Sequence, residues 1–263
     1  MEMVATAKMK RAQDQAVAGR PYAEKIAAVI SDLAAEHLSQ EVHPLLANRP
    51  VEKIGIIHVT SDRGMCGGLN ANMNRLTGNF IIQQKTPVSL VTVGRKGRDY
   101  MRRFGRDIHA DFTGLPDRPK LGDILPIARV VLDDYSKGTV DRVYVAYTRF
   151  VSTVVQKPTL QPLLPIEPAK VTKGETAEYI YEPNAPYVLA HLLPRFVEIE
   201  LYHALLEAIA SEQSARMVAM RNATDNAKEL ITDLTLMLNK ARQEVITTEL
   251  LDITGGVAAL AKG

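Results

Sequence analysis

The stretch that decides the fold is Ser211 to Leu260, SEQSARMVAMRNATDNAKELITDLTLMLNKARQEVITTELLDITGGVAAL. Starting upstream at Leu206, a single seam runs through Ile209, Gln213, Arg216/Met217, Met220, Ala223, Ala227, Leu230/Ile231, Leu234, Met237/Leu238, Ala241, Val245 and Thr248 at steps of three and four. That is the helical period, sustained too long for a helix packed inside a globular core, so it predicts coiled-coil-like packing. No Gly or Pro lies between Pro194 and Gly255. An uninterrupted helix of that length, roughly 60 residues at 1.5 Å each, would extend for roughly 90 Å and needs another long helix as its partner.

Only the N-terminal segment can supply that partner. Met3, Ala7, the Gln13/Asp14 region, Val17, Tyr22, Ile26, Val29/Ile30, Leu33 and His37/Leu38 repeat at the same spacing, and Gly19, Arg20 and Pro21 predict a kink. With the two ends paired and the rest of the chain inserted between them, the pairing is antiparallel. The first helix would cover about two thirds of the second. The tip, ITTELLDITGGVAAL (Ile246 to Leu260), would then need an outside partner to cover Leu250, Leu251, Ile253, Val257 and Leu260.

Between the helices the character changes. IGIIHVT (Ile54 to Thr60) and VSLVTVG (Val88 to Gly94) are short, nearly continuous β-branched runs, the pattern of strands buried on both faces. Strands around Ile108 to Phe112 and Asp141 to Phe150 follow, separated by helical patterns at Asn72 to Ile81, Arg95 to Phe104 and Leu121 to Tyr135. This alternation predicts a mostly parallel sheet with helices on both faces. Pro158, Pro162 and Pro165 confine the next segment to an antiparallel edge, and Pro168 to Glu178 reads as a loop. The expected fold class is α/β: an antiparallel coiled coil of N- and C-terminal helices with an inserted Rossmann-like, mostly parallel sheet domain. The divisions fall at 1–49 for the first helix, 50–183 for the sheet domain and 184–263 for the long helix.

Composition narrows the function classes. The chain has 263 residues, with 32 Lys plus Arg against 30 Asp plus Glu, so no whole-molecule polyanion surface is implied. Aromatics make up 5% with no Trp, and none follows Tyr202, which suits helix-on-helix packing at the C-terminal end. The single Cys66 excludes an internal disulfide, and no apolar run reaches the roughly 18 residues of a membrane span. Direct membrane insertion is not expected.

Candidate chemistry is sparse. SDRGMCGGLN (Ser61 to Asn70) sits where a phosphate-binding loop would, between a buried strand and a helix, but its glycine spacing fits neither nucleotide motif. It reads as a tight turn in which glycine permits positive φ. Cys66 has no oriented base, and the six histidines show no metal-ligand spacing, so no catalytic residue, cofactor or metal is expected. GRKGRDYMRRFGR (Gly94 to Arg106) is basic but lacks a stacking platform and reads as an exposed helix face, with no nucleic-acid partner. Polar residues interrupt the C-terminal seam at Glu212, Gln213 and Arg216, and again at Asn239, Arg242, Gln243 and Thr247. They either set register or face an outside partner.

Three blocks in the same order carry a family resemblance: MEMVATAKMKRAQ at Met1 to Gln13, SDRGMCGGLN at Ser61 to Asn70, and the stretch Ser211 to Leu260. The chain resembles the gamma subunit of F-type ATP synthases over Met1 to Leu260. The resemblance implies a non-catalytic rotor shaft inside a ring of alpha and beta subunits. Its sheet domain would rest on the c-ring, with the epsilon subunit as a further partner, at the cytoplasmic face of the membrane. By motif, Met1, Glu212, Arg216, Arg242, Gln243 and Thr247 match positions facing the alpha and beta subunits. Tyr179, Tyr181 and Glu182 of YIYEP match positions facing the c-ring. The family's first helix normally starts some two dozen residues before the equivalent of Met1, so the upper C-terminal helix is expected to lose much of its coiled-coil partner here. The competing reading of the residues is a dinucleotide-binding enzyme with a helical dimerisation stalk.

Overall fold

The structure is a computed structural model that describes residues 2–37, 43–167, 182 and 184–260. Helix α1 (Glu2–His37) is followed by a 3-10 turn (Pro44–Leu46) and then by β1 (Ile54–Val59), α2 (Leu69–Gln83), β2 (Val88–Val93), α3 (Arg95–Arg103), β3 (Ile108–Phe112), α4 (Leu121–Ser136), β4 (Arg142–Phe150), β5 (Gln156–Leu164) and α5 (Ala185–Leu260). The chain divides into two compact units, Met1–Val218 and Ala219–Gly263, and α5 is continuous through the division.

In the first unit the strand order is β3-β2-β1-β4-β5. The first four strands are parallel neighbours, and β5 pairs antiparallel with β4 at the edge. The proline-bearing segment therefore lies where missing N–H donors cost least. Alternation along the central strands sorts side chains to two faces. Ile54, Ile56, Leu90 and Ala146 pack with Met73 and Ile81 of α2 and Met101 of α3. Ile57, Val59, Val91, Val93 and Val145 face the other way, into a cluster with Ile124 and Val131 of α4 and Leu189, Leu193, Val197 and Leu201 of α5. β1 and β2 are mostly apolar because both of their faces are covered; His58, Ser89 and Thr92 are their buried polar residues.

Helix α1 joins this second cluster through Ile26 and Ile30. Gln15 Nε2 donates to Tyr202 Oη at 3.2 Å, and Tyr22 hydrogen-bonds Arg195, so residue numbers fall along α5 as they rise along α1. The pairing is antiparallel, as the sequence predicts. At one residue for one residue, Glu2 comes opposite about residue 215. Burial in α5 stops at that level: Met217 is buried, and every residue from Arg221 to Val257 is exposed. The uncovered segment thus starts well before the Ile246 expected from helix lengths. Helix lengths fix no offset between two helices; the offset here comes from the pairing of Gln15 with Tyr202.

The first helix is expected over 1–49, but within that span Pro44–Leu46 is a separate 3-10 turn, anchored by Ile166 N donating to Leu45 O. At Gly19 to Pro21, α1 continues as one helix. Gly19 has a packing role there, since a Cβ at that position would lie 2.6 Å from the His203 ring on α5.

His58, fully buried on β1, is held by two hydrogen bonds from α2: Nε2 to Asn74 Oδ1 at 2.8 Å and Nδ1 to Thr77 Oγ1 at 3.0 Å. Burial lowers its pKa from 6.5 to about 4, partly offset by the Asn74 bond. The unfolded chain therefore binds the extra proton first, and stability is complete above pH 6.5 and falls as pH drops toward 4. Urea unfolding across that window is expected to show a loss of about 3 kcal/mol from this group. His58→Gln is expected to flatten that part of the profile.

Candidate functional site

In the first unit, polar groups gather where β1, β2 and β3 end. Gly94, closing β2, has φ +95°, and a Cβ there would lie 2.1 Å from Thr60 O. Only glycine lets the start of α3 approach the end of β1 so closely. The approach is fixed by Gly97 N donating to Thr60 Oγ1 at 2.8 Å and Lys96 N donating to Ser61 O at 3.1 Å.

The N-terminus of a helix such as α3 is a ready place for an anion. Here the protein's own Asp62 fills it. Asp62 Oδ1 accepts from Arg95 N at 2.9 Å, Oδ2 accepts from Gly114 N at 2.8 Å, and the Arg95 side chain lies 3.6 Å from the same carboxylate. Beside it is a cleft of about 300 Å³ lined in part by Phe112, Leu205, Asp117 and Glu212. Its wall also includes Asp62, Arg63 and Arg95, and Asp62 already takes the Arg95 N–H that an outside anion would use. This geometry opposes the dinucleotide reading.

The loop Ser61 to Asn70 folds around Asn70, which accepts from Ser61 N and donates to Ser61 Oγ at 2.7 Å and Cys66 Sγ at 3.3 Å. Met65 and Gly67 take positive φ, 61° and 58°, giving the tight turn read from the glycines. Cys66 is buried, and desolvation pushes its thiol above the ordinary range. His58, bonded on both ring nitrogens, is not its base. Among the described residues no group of His, Cys, Asp and Glu is arranged to hold a metal.

Glu212 and Arg216 lie one turn apart on α5 and form an ion pair, their side chains 17% and 12% exposed. Arg216 Nη2 also reaches Gly64 O at 3.4 Å. Burial raises the Glu212 pKa, and the Arg216 bond opposes that rise. Both residues turn toward the chain's own loop and offer little surface to another molecule. Sequence reasoning missed Asp62, Ser211 and Ser214. The last two are fully buried on α5, with hydroxyls donating to Thr148 O at 2.9 Å and Thr153 O at 2.6 Å. Small polar residues three apart in an apolar seam were the available signal.

In the second unit, Arg242, Gln243 and Thr247 are exposed on α5. Thr247 Oγ1 donates to Gln243 O at 2.7 Å, so its hydroxyl offers only lone pairs to a neighbour. Leu230, Ile231, Leu234, Met237, Leu238 and Val245 are 55–68% exposed, an apolar surface that isolated soluble helices seldom carry. Glu182 is exposed; Met1, Tyr179 and Tyr181 lie outside the described residues, as does the expected loop from Pro168 to Glu178.

An α/β domain inserted between two helices, one of which continues through a second unit with its apolar side chains exposed, defines a stalk-type subunit built to be surrounded. A model of the family described as ATP synthase matches residues 1–260. The ATP synthase gamma chain of Dehalococcoides mccartyi is 62% identical over 262 residues, covering 99% of this chain and 92% of that protein. That of Desulfitobacterium hafniense is 48% identical over 260 residues, with the same two coverages. In the Tetrahymena thermophila mitochondrial ATP synthase central stalk and c-ring structure, one chain superposes with a TM-score of 0.66 at 24% identity, covering 85% of this chain and 97% of that one, a likeness of fold. This chain belongs to the ATP synthase gamma chain family.

Two substitutions test the first-unit geometry. Asp62→Ala removes the acceptor for two backbone N–H groups near solvent and is expected to cost about 1–2 kcal/mol in urea unfolding. Gly94→Ala adds a Cβ against a backbone oxygen at positive φ and is expected to cost at least about 3 kcal/mol.

Proposed function

We propose that this chain is the central-stalk rotor subunit of an F-type ATP synthase, turning with a c-ring and driving conformational change in surrounding alpha and beta subunits. The observation that carries this reading is the helix from Arg221 to Val257, exposed throughout and rich in apolar side chains, in a chain of the gamma family. In this reading 1–49 and 184–263 form the shaft, 50–183 forms the foot, and an epsilon subunit joins the stalk. The subunit contributes no catalytic residue; the nucleotide chemistry belongs to the partners. It sits as a peripheral protein on the cytoplasmic face of the membrane. None of the described helices is long and apolar enough to cross a bilayer.

Arg242, Gln243 and Thr247 are the upper contacts with the alpha and beta loops, and Glu182, with Tyr179 and Tyr181, faces the c-ring. Met1 is assigned to the alpha and beta contacts by motif alone; its neighbour Glu2 comes opposite about residue 215, at the level of Glu212 and Arg216 and not of Arg242. Glu212 and Arg216 act lower on the shaft, where their ion pair turns inward. A charge-assisted bond from Arg242 to a partner carboxylate is worth about 1.5–3 kcal/mol, enough to hold a dwell and little enough to be broken in each step.

Purification of the assembled complex is expected to give one copy of this chain with three copies each of alpha and beta; a different ratio or no association contradicts the rotor reading. In the reconstituted complex, Arg242→Ala with Gln243→Ala is expected to reduce ATP synthesis several-fold while assembly is kept. Unchanged synthesis removes these residues from the coupling contacts. Micromolar binding of NAD or ATP to the isolated chain, read by calorimetry, would favour the dinucleotide enzyme instead.

A further inference from the structure

The first half of α5 is held in the sheet domain by a large apolar cluster, an attraction that carries no bond direction of its own. At Ser211 to Arg216 the contact changes character. Ser211 Oγ donates to Thr148 O near the end of β4. Ser214 Oγ donates to Thr153 O in the β4–β5 turn and accepts from Gln156 Nε2 at 3.4 Å. Gln156 Nε2 also reaches Thr153 O at 3.0 Å, stapling that turn. On another side of the helix, Arg216 reaches Gly64 O of the loop after β1 while paired with Glu212.

At 3.6 residues per turn, Ser214 and Arg216 project about 160° apart around the helix axis. Directional bonds on nearly opposite sides act as a couple: turning α5 about its axis disturbs the distance and angle of both. Ser211 and Ser214 have no exposed surface, so neither meets an outside partner at this level.

We infer that Ser211, Ser214 and Arg216 form a torque clamp, fixing the azimuth of the C-terminal helix against the sheet domain so that rotation of one is delivered to the other. This rests on the rotor reading and gives Arg216 an internal positioning role. Its two serines touch neither nucleotide nor partner; they act by stiffening the joint.

The test uses the assembled complex with the alpha and beta ring immobilised, a probe on the sheet domain and the rotor stalled. Angular fluctuation of the probe reports torsional stiffness. Ser211→Ala with Ser214→Ala keeps the packing volume and removes only the hydroxyls, and is expected to broaden the angular distribution. ATP hydrolysis by the ring with its stalk is expected to stay unchanged. Thr235→Ala is the control, because that hydroxyl returns to Ile231 O of its own helix, and is expected to leave the width unchanged. Gln156→Ala, a milder change outside the helix, is expected to broaden the distribution as well and decides the matter if the serine variant does not assemble. Wild-type width in the assembled variants overturns the clamp. Absence of rotation in the wild-type complex overturns the rotor reading instead, so the two failures are distinguishable.

Discussion

The rest of the structure depends on the contact between the first half of α5 and one face of a sheet already covered on the other. Leu189, Leu193 and Val197 each lose essentially all solvent exposure there, against Ile57, Val91 and Val145 from three neighbouring strands. Burial on this scale holds the helix in place, since each such side chain contributes about 1.5–3 kcal/mol. It also fixes where α1 must lie, because Ile26 and Ile30 complete the same cluster. The antiparallel register of α1 on α5 follows.

The sheet was legible in the sequence for a simple reason. A strand covered on both faces has few polar positions, so Ile54 to Val59 and Val88 to Val93 stand out as mostly apolar runs despite His58, Ser89 and Thr92; Pro158 and Pro162 then identify the edge. The register between α1 and α5 was not legible. Helix lengths give an end-to-end estimate, whereas the true offset comes from contacts such as Gln15 with Tyr202 and Gly19 with His203, which no periodicity encodes. The glycine looked like a breaker because its spatial neighbour lies far along the chain.

The functional surface divides in the same way. Arg242, Gln243 and Thr247 were singled out as polar breaks in the seam and given roles only through resemblance, and their exposure is what an outward-facing contact requires. Glu212 and Arg216 looked identical to them in sequence but are satisfied within the chain. A polar residue in a helical seam carries no sign of which side of the protein boundary its partner is on. Asp62 was hidden for a related reason: its partners are backbone N–H groups of Arg95 and Gly114, brought to it by the ends of β2 and β3. A helix N-terminus able to hold a free anion is closed here by a covalently attached one, and the glycine-permitted approach serves as internal bracing.

The threonines of the exposed helix complete the picture of a surface made for contact. Thr224, Thr232, Thr235, Thr247, Thr248 and Thr254 each return their hydroxyl proton to a carbonyl one turn back. Whatever lies against these positions meets methyl groups and lone pairs, never a free hydroxyl donor. Fit at such a surface is governed by shape, and passing over it breaks few bonds. In engineering language, α5 has the finish of a dry bearing at its threonines and of a keyed joint at its buried serines.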